Sequence, residues 1–118
     1  MDSAVQKIYQ QYIEVFPQEQ DALRILSRQL GRPGITSRST FDKGHVTAGA
    51  IIVALPSRQV LLIDHVTLQK RLQPGGHVEP GDASILDAAY REVLEETGIT
   101  KEALHYVPLS EQYPDIPF

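Results

Sequence analysis

The chain has 118 residues, 42% apolar and 22% charged, which suits one small folded domain and argues against disorder. Its net charge of −4 offers no electrostatic footprint for duplex nucleic acid or an anionic membrane, and the absence of cysteine excludes disulfides, thiolate zinc sites and thiol nucleophiles. The start, MDSAVQKIYQ, has no basic or apolar leader character, and the longest apolar run, 48–55, is too short to cross a bilayer, so a cytoplasmic protein is expected.

From Ser3 to Phe16 the residues Val5, Ile8, Tyr9, Tyr12, Ile13 and Phe16 recur at helical spacing. Pro17 interrupts the pattern. Residues 18–30 resume it through Ala22, Leu23, Ile25, Leu26 and Leu30, with Gly31 as a stop signal. Residues 1–30 are therefore expected to form a helical segment of two short packed helices. Residues 31–44 carry Gly31, Pro33, Gly34 and Gly44, with serines and threonines around Arg38, which is the composition of a linker.

Residues 45–118 read as a separate α/β part. His45–Leu55 is rich in Val, Ile and Ala, and Val60–Ile63 follows after a Pro-Ser-Arg-Gln turn, so a hairpin is predicted. Both runs are apolar at nearly every position, which predicts strands covered on both faces. Leu72-Gln73 predicts a brief strand ended by Pro74-Gly75-Gly76, a turn in which glycine supplies permissive backbone angles. Ser84, with Asp87 three positions on, signals a helix start. Leu86, Ala89 and Val93 form its expected buried stripe, and Gly98 its end. A last strand is expected over 103–109. The closing Tyr-Pro-Asp-Ile-Pro-Phe is proline-punctuated and unsuited to a central strand.

The chemistry concentrates on the helix before Gly98. Glu92, Glu95 and Glu96 fall within a fan of roughly 100° on one helix face at 3.6 residues per turn. Like charges at i, i+3 and i+4 repel, and only Arg91, four residues before Glu95, is spaced to offset them. One reading is a solvated acidic face with a weak Arg91–Glu95 surface pair. The other is a cluster of hard oxygen ligands suited to Mg²⁺ or Mn²⁺, which bind through a few carboxylates and substrate phosphates.

Residues 75–99, GGHVEPGDASILDAAYREVLEETGI, decide between them by resemblance. The segment resembles the signature of the Nudix hydrolases: Gly, five residues, Glu, seven residues, Arg-Glu, an apolar residue, any residue, Glu-Glu, any residue, Gly, an apolar residue. Gly76 opens it, and Arg91 to Ile99 closes it without a mismatch. Two departures lie between: Asp82 stands where the pattern has Glu, and eight residues, Ala83–Tyr90, precede Arg91 where the pattern has seven. The resemblance covers about half the chain, from His45 to Val107.

The resemblance implies a mixed sheet in an α/β/α sandwich and hydrolysis of a pyrophosphate bond in a nucleoside diphosphate joined to another group. It makes Glu92, Glu95 and Glu96 ligands of Mg²⁺ (or Mn²⁺) that organise the attacking water, Arg91 the residue that orients a neighbouring glutamate, and Gly76 a carbonyl donor to the metal. Arg91, Glu92 and Glu95 are the catalytic candidates. Glu79 and Asp82 are supporting candidates, Asp82 reading equally as a polar residue before the helix cap. Lys70 and Arg71 precede the glycine turn, where they suit substrate phosphates or a solvated loop. His77 reads as a loop hydrogen-bonding residue, and His45, His65 and His105 show no zinc-site spacing.

A small-molecule nucleoside diphosphate derivative is the expected partner, with no nucleic acid duplex and no membrane. Two other readings stand beside the enzyme: a non-catalytic Nudix-like domain that binds a nucleotide or a protein, and an interaction role for the N-terminal helices. Relatives of this kind usually continue through further strands and a second helix. The C-terminal part of the fold is therefore expected to be short or missing, and the uncovered apolar strands to drive homo-oligomer formation.

Overall fold

The computed structural model of the protein describes residues 1–39 and 44–108. They form a mixed α/β domain with small antiparallel sheets. The described residues gather into two compact units, one of Met1–Ala48 with His77–Ala88, the other of Gly49–Gly76 with the chain from Ala89 onward.

In the first unit, helix α1 (Asp2–Val15) forms where the apolar spacing predicts it and buries Val5. Its C-terminal end is tied to a 3-10 turn at Pro17–Glu19: the Tyr12 hydroxyl donates to Glu19 Oε2 at 2.7 Å, and the Tyr12 and Phe16 rings lie 4.9 Å apart. The hydrogen bond to Glu19 pushes the Tyr12 phenol above its ordinary pKa, with desolvation and the Glu19 charge adding to it.

The second helix is much shorter than expected: α2 spans only Arg24–Ser27. Pro17 starts a 3-10 turn rather than an α-helix, and Ser27 Oγ donates back to the Arg24 carbonyl at 3.0 Å, a local bond that competes with propagation. The segment that follows is packed. Ile35 is buried, the Gly34 N–H donates to Asp2 Oδ2 at 3.0 Å, and the Val46 N–H donates to the Ile35 carbonyl at 2.8 Å.

Strands β1 (Thr47–Gly49), β2 (Val53–Ala54), β3 (Gln59–Val60), β4 (Ile63–His65), β5 (Lys70–Leu72) and β6 (Gly75–His77) follow. The two long apolar runs are thus broken into short strands. In the second unit, β2 and β3 pair antiparallel with Val53 opposite Val60. Their four-residue loop holds a cis Leu55–Pro56 bond and Arg58 at φ 55°. β4 and β5 form a second antiparallel hairpin, with Asp64 opposite Arg71 and His65 opposite Lys70. Its turn places Gln69 at φ 51°, and the Leu68 N–H donates to His65 Nδ1 at 3.2 Å. No Gly, Pro or Asn marks that turn, so its chemistry was not visible in the sequence.

Three expectations are corrected here. The strands are not covered on both faces, because two-stranded ribbons bury little: Ile51 is 76% exposed and Val66 88%, with Leu55, Val60 and Leu62 also exposed. A strand does end ahead of Pro74, β5 stopping at Leu72, but Gly75-Gly76 opens β6 rather than a turn, and the Ala50 N–H donates to the buried Pro74's carbonyl at 2.9 Å. Residues 103–108 form no strand: a 3-10 turn at Lys101–Ala103 leads into irregular chain. Residue 109 and the tail lie outside the described residues.

Helix α3 (Ile85–Thr97) begins as the sequence indicates. The Asp87 N–H donates to Ser84 Oγ at 3.0 Å, and that hydroxyl donates to Asp87 Oδ2 at 2.7 Å. Its buried face is Ala88, Ala89 and Val93, while Leu86, in the first turn, is exposed rather than part of the stripe. Gly98, at φ +75°, donates its N–H to the Leu94 carbonyl at 2.9 Å and ends the helix. Among the described residues, no helix is long and apolar enough to cross a membrane.

Candidate active site

Helix α3 carries Arg91, Glu92, Glu95 and Glu96 along its second half, and the burial of Val93 at 1% exposure fixes the rotation that presents them. Arg91 bridges two of the acids. Its Nη1 donates to Glu92 Oε1 at 2.9 Å and to Glu95 Oε2 at 3.2 Å. The pair with Glu92 is well shielded, the two side chains being 21% and 12% exposed, whereas Glu95 is 56% exposed. Shielding makes the first contact the stronger of the two, since solvent screens the second.

The other face of the site is Gly75 and Gly76 of strand β6, which belong to the same unit. The Gly75 N–H donates to Glu96 Oε2 at 2.9 Å. Gly76 lies so close to Glu92 that a Cβ on it would stand 2.6 Å from both Oε1 and Oε2. Neither glycine has a positive φ, so permissive backbone angles are not what this position uses. Glycine serves here by lacking a side chain, which lets a carboxylate reach the strand. The sequence pattern named Gly76 for a different reason and missed the Gly75 amide altogether.

Glu79 and Asp82 belong to the other compact unit. Asp82 Oδ2 accepts the Glu79 N–H at 2.8 Å and the Asp82 N–H donates to the Glu79 carbonyl at 3.0 Å, so the aspartate closes the loop that leads to Ser84. Lys70 and Arg71 lie on β5, and with Asp64, His65, Val66 and Gln69 they line an open cleft of about 440 Å³. Arg71 is committed to its cross-strand neighbour Asp64, Nε to Oδ1 at 3.3 Å, both side chains being exposed.

A divalent cation is the group this site implies. The donor chemistry fits: three carboxylates on one helix face, a strand backbone brought up to two of them, Glu96 at Gly75 and Glu92 at Gly76, and the Gly76 cradle that a Cβ would fill. In this conformation the acids turn to protein donors instead. Among the described residues, no group of three or more His, Asp or Glu side chains is gathered to hold a metal ion.

The model of the NUDIX domain matches residues 43–117. A protein of Bacillus subtilis (strain 168), provisionally described as an 8-oxo-dGTP diphosphatase, is 45% identical over 53 residues, 44% of this chain and 35% of that protein. Phosphatase NudJ of Escherichia coli (strain K12) is 36% identical over 67 residues, 55% of this chain and 42% of that protein. The matched stretches thus span less than half the length of either relative. No solved structure matches the chain.

Proposed function

The chain belongs to the Nudix family, whose domain model spans residues 43–117, and from that premise we propose that it is a Mg²⁺-dependent hydrolase. It cleaves the pyrophosphate bond of a nucleoside diphosphate joined to another group, on the family's α/β/α sandwich. The observation that carries the reading is Arg91 holding Glu92 and Glu95 while Glu96 and Glu92 meet the β6 backbone. An unorganised acidic face has no reason to fold against a strand at a glycine.

In this reading Glu92, Glu95 and Glu96, with the Gly76 carbonyl, hold Mg²⁺ or Mn²⁺. When bound, the cation supplies Lewis-acid polarisation of the phosphoryl oxygens and activation of water. The chain's own residues do the positioning. Arg91 keeps Glu92 at the Gly76 cradle, and the Gly75 N–H fixes the carboxylate of Glu96. Glu95 and Glu96 are exposed side chains, able to exchange protein donors for a cation without opening the core. Water is the nucleophile and no covalent intermediate is required, in keeping with a chain that has no cysteine.

The test is phosphate or nucleotide release from a panel of nucleoside diphosphate derivatives, with and without Mg²⁺, in the wild type and in Glu96→Gln. Metal-dependent release by the wild type is expected, with a loss of about 10²-fold or more in the variant, the scale on which charge-stabilising groups act. Glu96→Gln turning over at the wild-type rate in saturating Mg²⁺ would remove Glu96 from the site. Wild-type protein that binds nucleotides without hydrolysing any of the panel would favour the non-catalytic binding domain.

A further inference from the structure

Gly49, the last residue of β1, is exposed, and its φ lies outside the left-handed region. Nothing in its torsion angles asks for glycine, and alanine there would restrict the unfolded chain and so favour folding. Its close surroundings give the reason. A Cβ at position 49 would stand 3.1 Å from the Pro74 carbonyl oxygen and 3.7 Å from Gly75 Cα. Both atoms are backbone, so neither can rotate aside as a side chain would. Glycine in a strand often marks such a close approach of another backbone. The next residue uses the space: the Ala50 N–H donates to the Pro74 carbonyl at 2.9 Å. Pro74 is fully buried and its ring fixes φ, which leaves this peptide little freedom of its own.

The Pro74 carbonyl and the Gly75 N–H are the two ends of one planar trans peptide unit. They point in opposite directions, the oxygen toward the Ala50 amide and the N–H toward Glu96 Oε2, 2.9 Å from the nitrogen. We infer that Gly49 is a positioning residue for Glu96. Its missing side chain lets residues 49–50 close on the Pro74–Gly75 peptide, which aims the Gly75 amide at the carboxylate. The plane transmits this placement because it moves as a unit, and the bond accepted by its oxygen polarises its N–H toward stronger donation. A carboxylate has about four acceptor positions, so Glu96 held in this way keeps room for a cation. Gly49, Ala50, Pro74, Gly75 and the part of α3 that carries Glu96 all belong to the second compact unit. The inference rests on the proposed function only for what the held carboxylate does.

The experiment follows the amide proton and nitrogen signals of Ala50 and Gly75 in the isotope-labelled full chain, in EDTA. Glu96→Gln is the reference: losing the charge weakens the bond and should move the Gly75 proton upfield. Gly49→Ala should move it the same way and speed exchange of the Gly75 amide by about tenfold, the scale of one hydrogen bond. Gly81→Ala, where a Cβ meets nothing within 4 Å, should leave both signals in place. Manganese binding, read by electron spin resonance, should weaken by about tenfold in Gly49→Ala, the scale for groups that orient metal ligands. A glycine needed only for packing predicts a lower melting temperature, with the Gly75 signal and the manganese affinity of the folded variant unchanged. Either of those two readings staying at its wild-type value overturns the inference. If Gly49→Ala fails to fold, Glu96→Gln decides: the Ala50 signal should shift together with that of Gly75, and an Ala50 signal that stays still overturns the inference. Where the wild type binds no manganese, the metal-dependent reading fails, and the signals in EDTA alone decide the placement of Glu96.

Discussion

A methyl group at position 76 would stand 2.6 Å from both carboxylate oxygens of Glu92, closer than a real Cβ contact allows. The atoms in the way are the far end of a flexible side chain, and Gly76 does not occupy the left-handed region. Gly76→Ala should therefore fold, with Glu92 swung away from the strand and from Arg91. Turnover should drop by about 10- to 100-fold, as for other residues that orient ligands, while the melting temperature changes little. Activity and melting measured side by side check this. A variant that loses stability and activity together would show that Gly76 is needed for the strand itself. At this scale the sequence could name its candidate acids, because the closing Arg91–Ile99 match is a local pattern on one helix. The Gly75–Glu96 bond and the approach of Gly49 to Pro74 were not readable, since each joins residues more than 20 positions apart.

Helix α3 shows what local chemistry can and cannot specify. Its start and stop were legible because a cap and a C-terminal glycine act on their own neighbours: Ser84 on Asp87, Gly98 on Leu94. Ser84→Ala removes two hydrogen bonds at once, 3.0 Å from the Asp87 amide and 2.7 Å to its carboxylate. A loss of about 1 kcal/mol is expected from the cap, and Ser84→Asp should restore much of it. Urea unfolding of the three proteins is the check, and an Ala variant as stable as wild type would mean that packing of Val93 alone sets the helix start. The strands were poorly legible by comparison. Ile51 and Val60 look like core residues by composition, but whether a strand face is covered depends on partners far away in the chain. The short α2 failed for a related reason: apolar spacing over 18–30 was real, but the Pro17 3-10 turn and the Ser27 back-bond fixed another conformation first.

For the whole molecule, two responses follow from where the fold places its acids and its apolar side chains. Three acids crowd one helix face and lean on a single arginine and one amide, so a cation bound there favours the folded form over the unfolded chain. At a Mg²⁺ concentration tenfold above its dissociation constant, the gain is about 1.4 kcal/mol, or roughly 5 °C in melting temperature. Identical melting curves in Mg²⁺ and in EDTA would remove the metal from the site. The second response concerns apolar surface. Ile51 at 76% exposure and Val66 at 88% accompany Leu55, Val60, Leu62 and Leu68, all exposed, beside hairpins of two strands whose outer edges offer backbone donors and acceptors. A second copy of the chain offers the same strand edges and the same apolar side chains, so self-association is the expected outcome. Sedimentation should show mass rising with concentration, and Ile51→Lys with Val66→Lys should shift the chain toward monomer by placing charge on that surface. A wild-type chain that sediments as a monomer across the concentration range would show that the exposed residues cost too little in water to drive association.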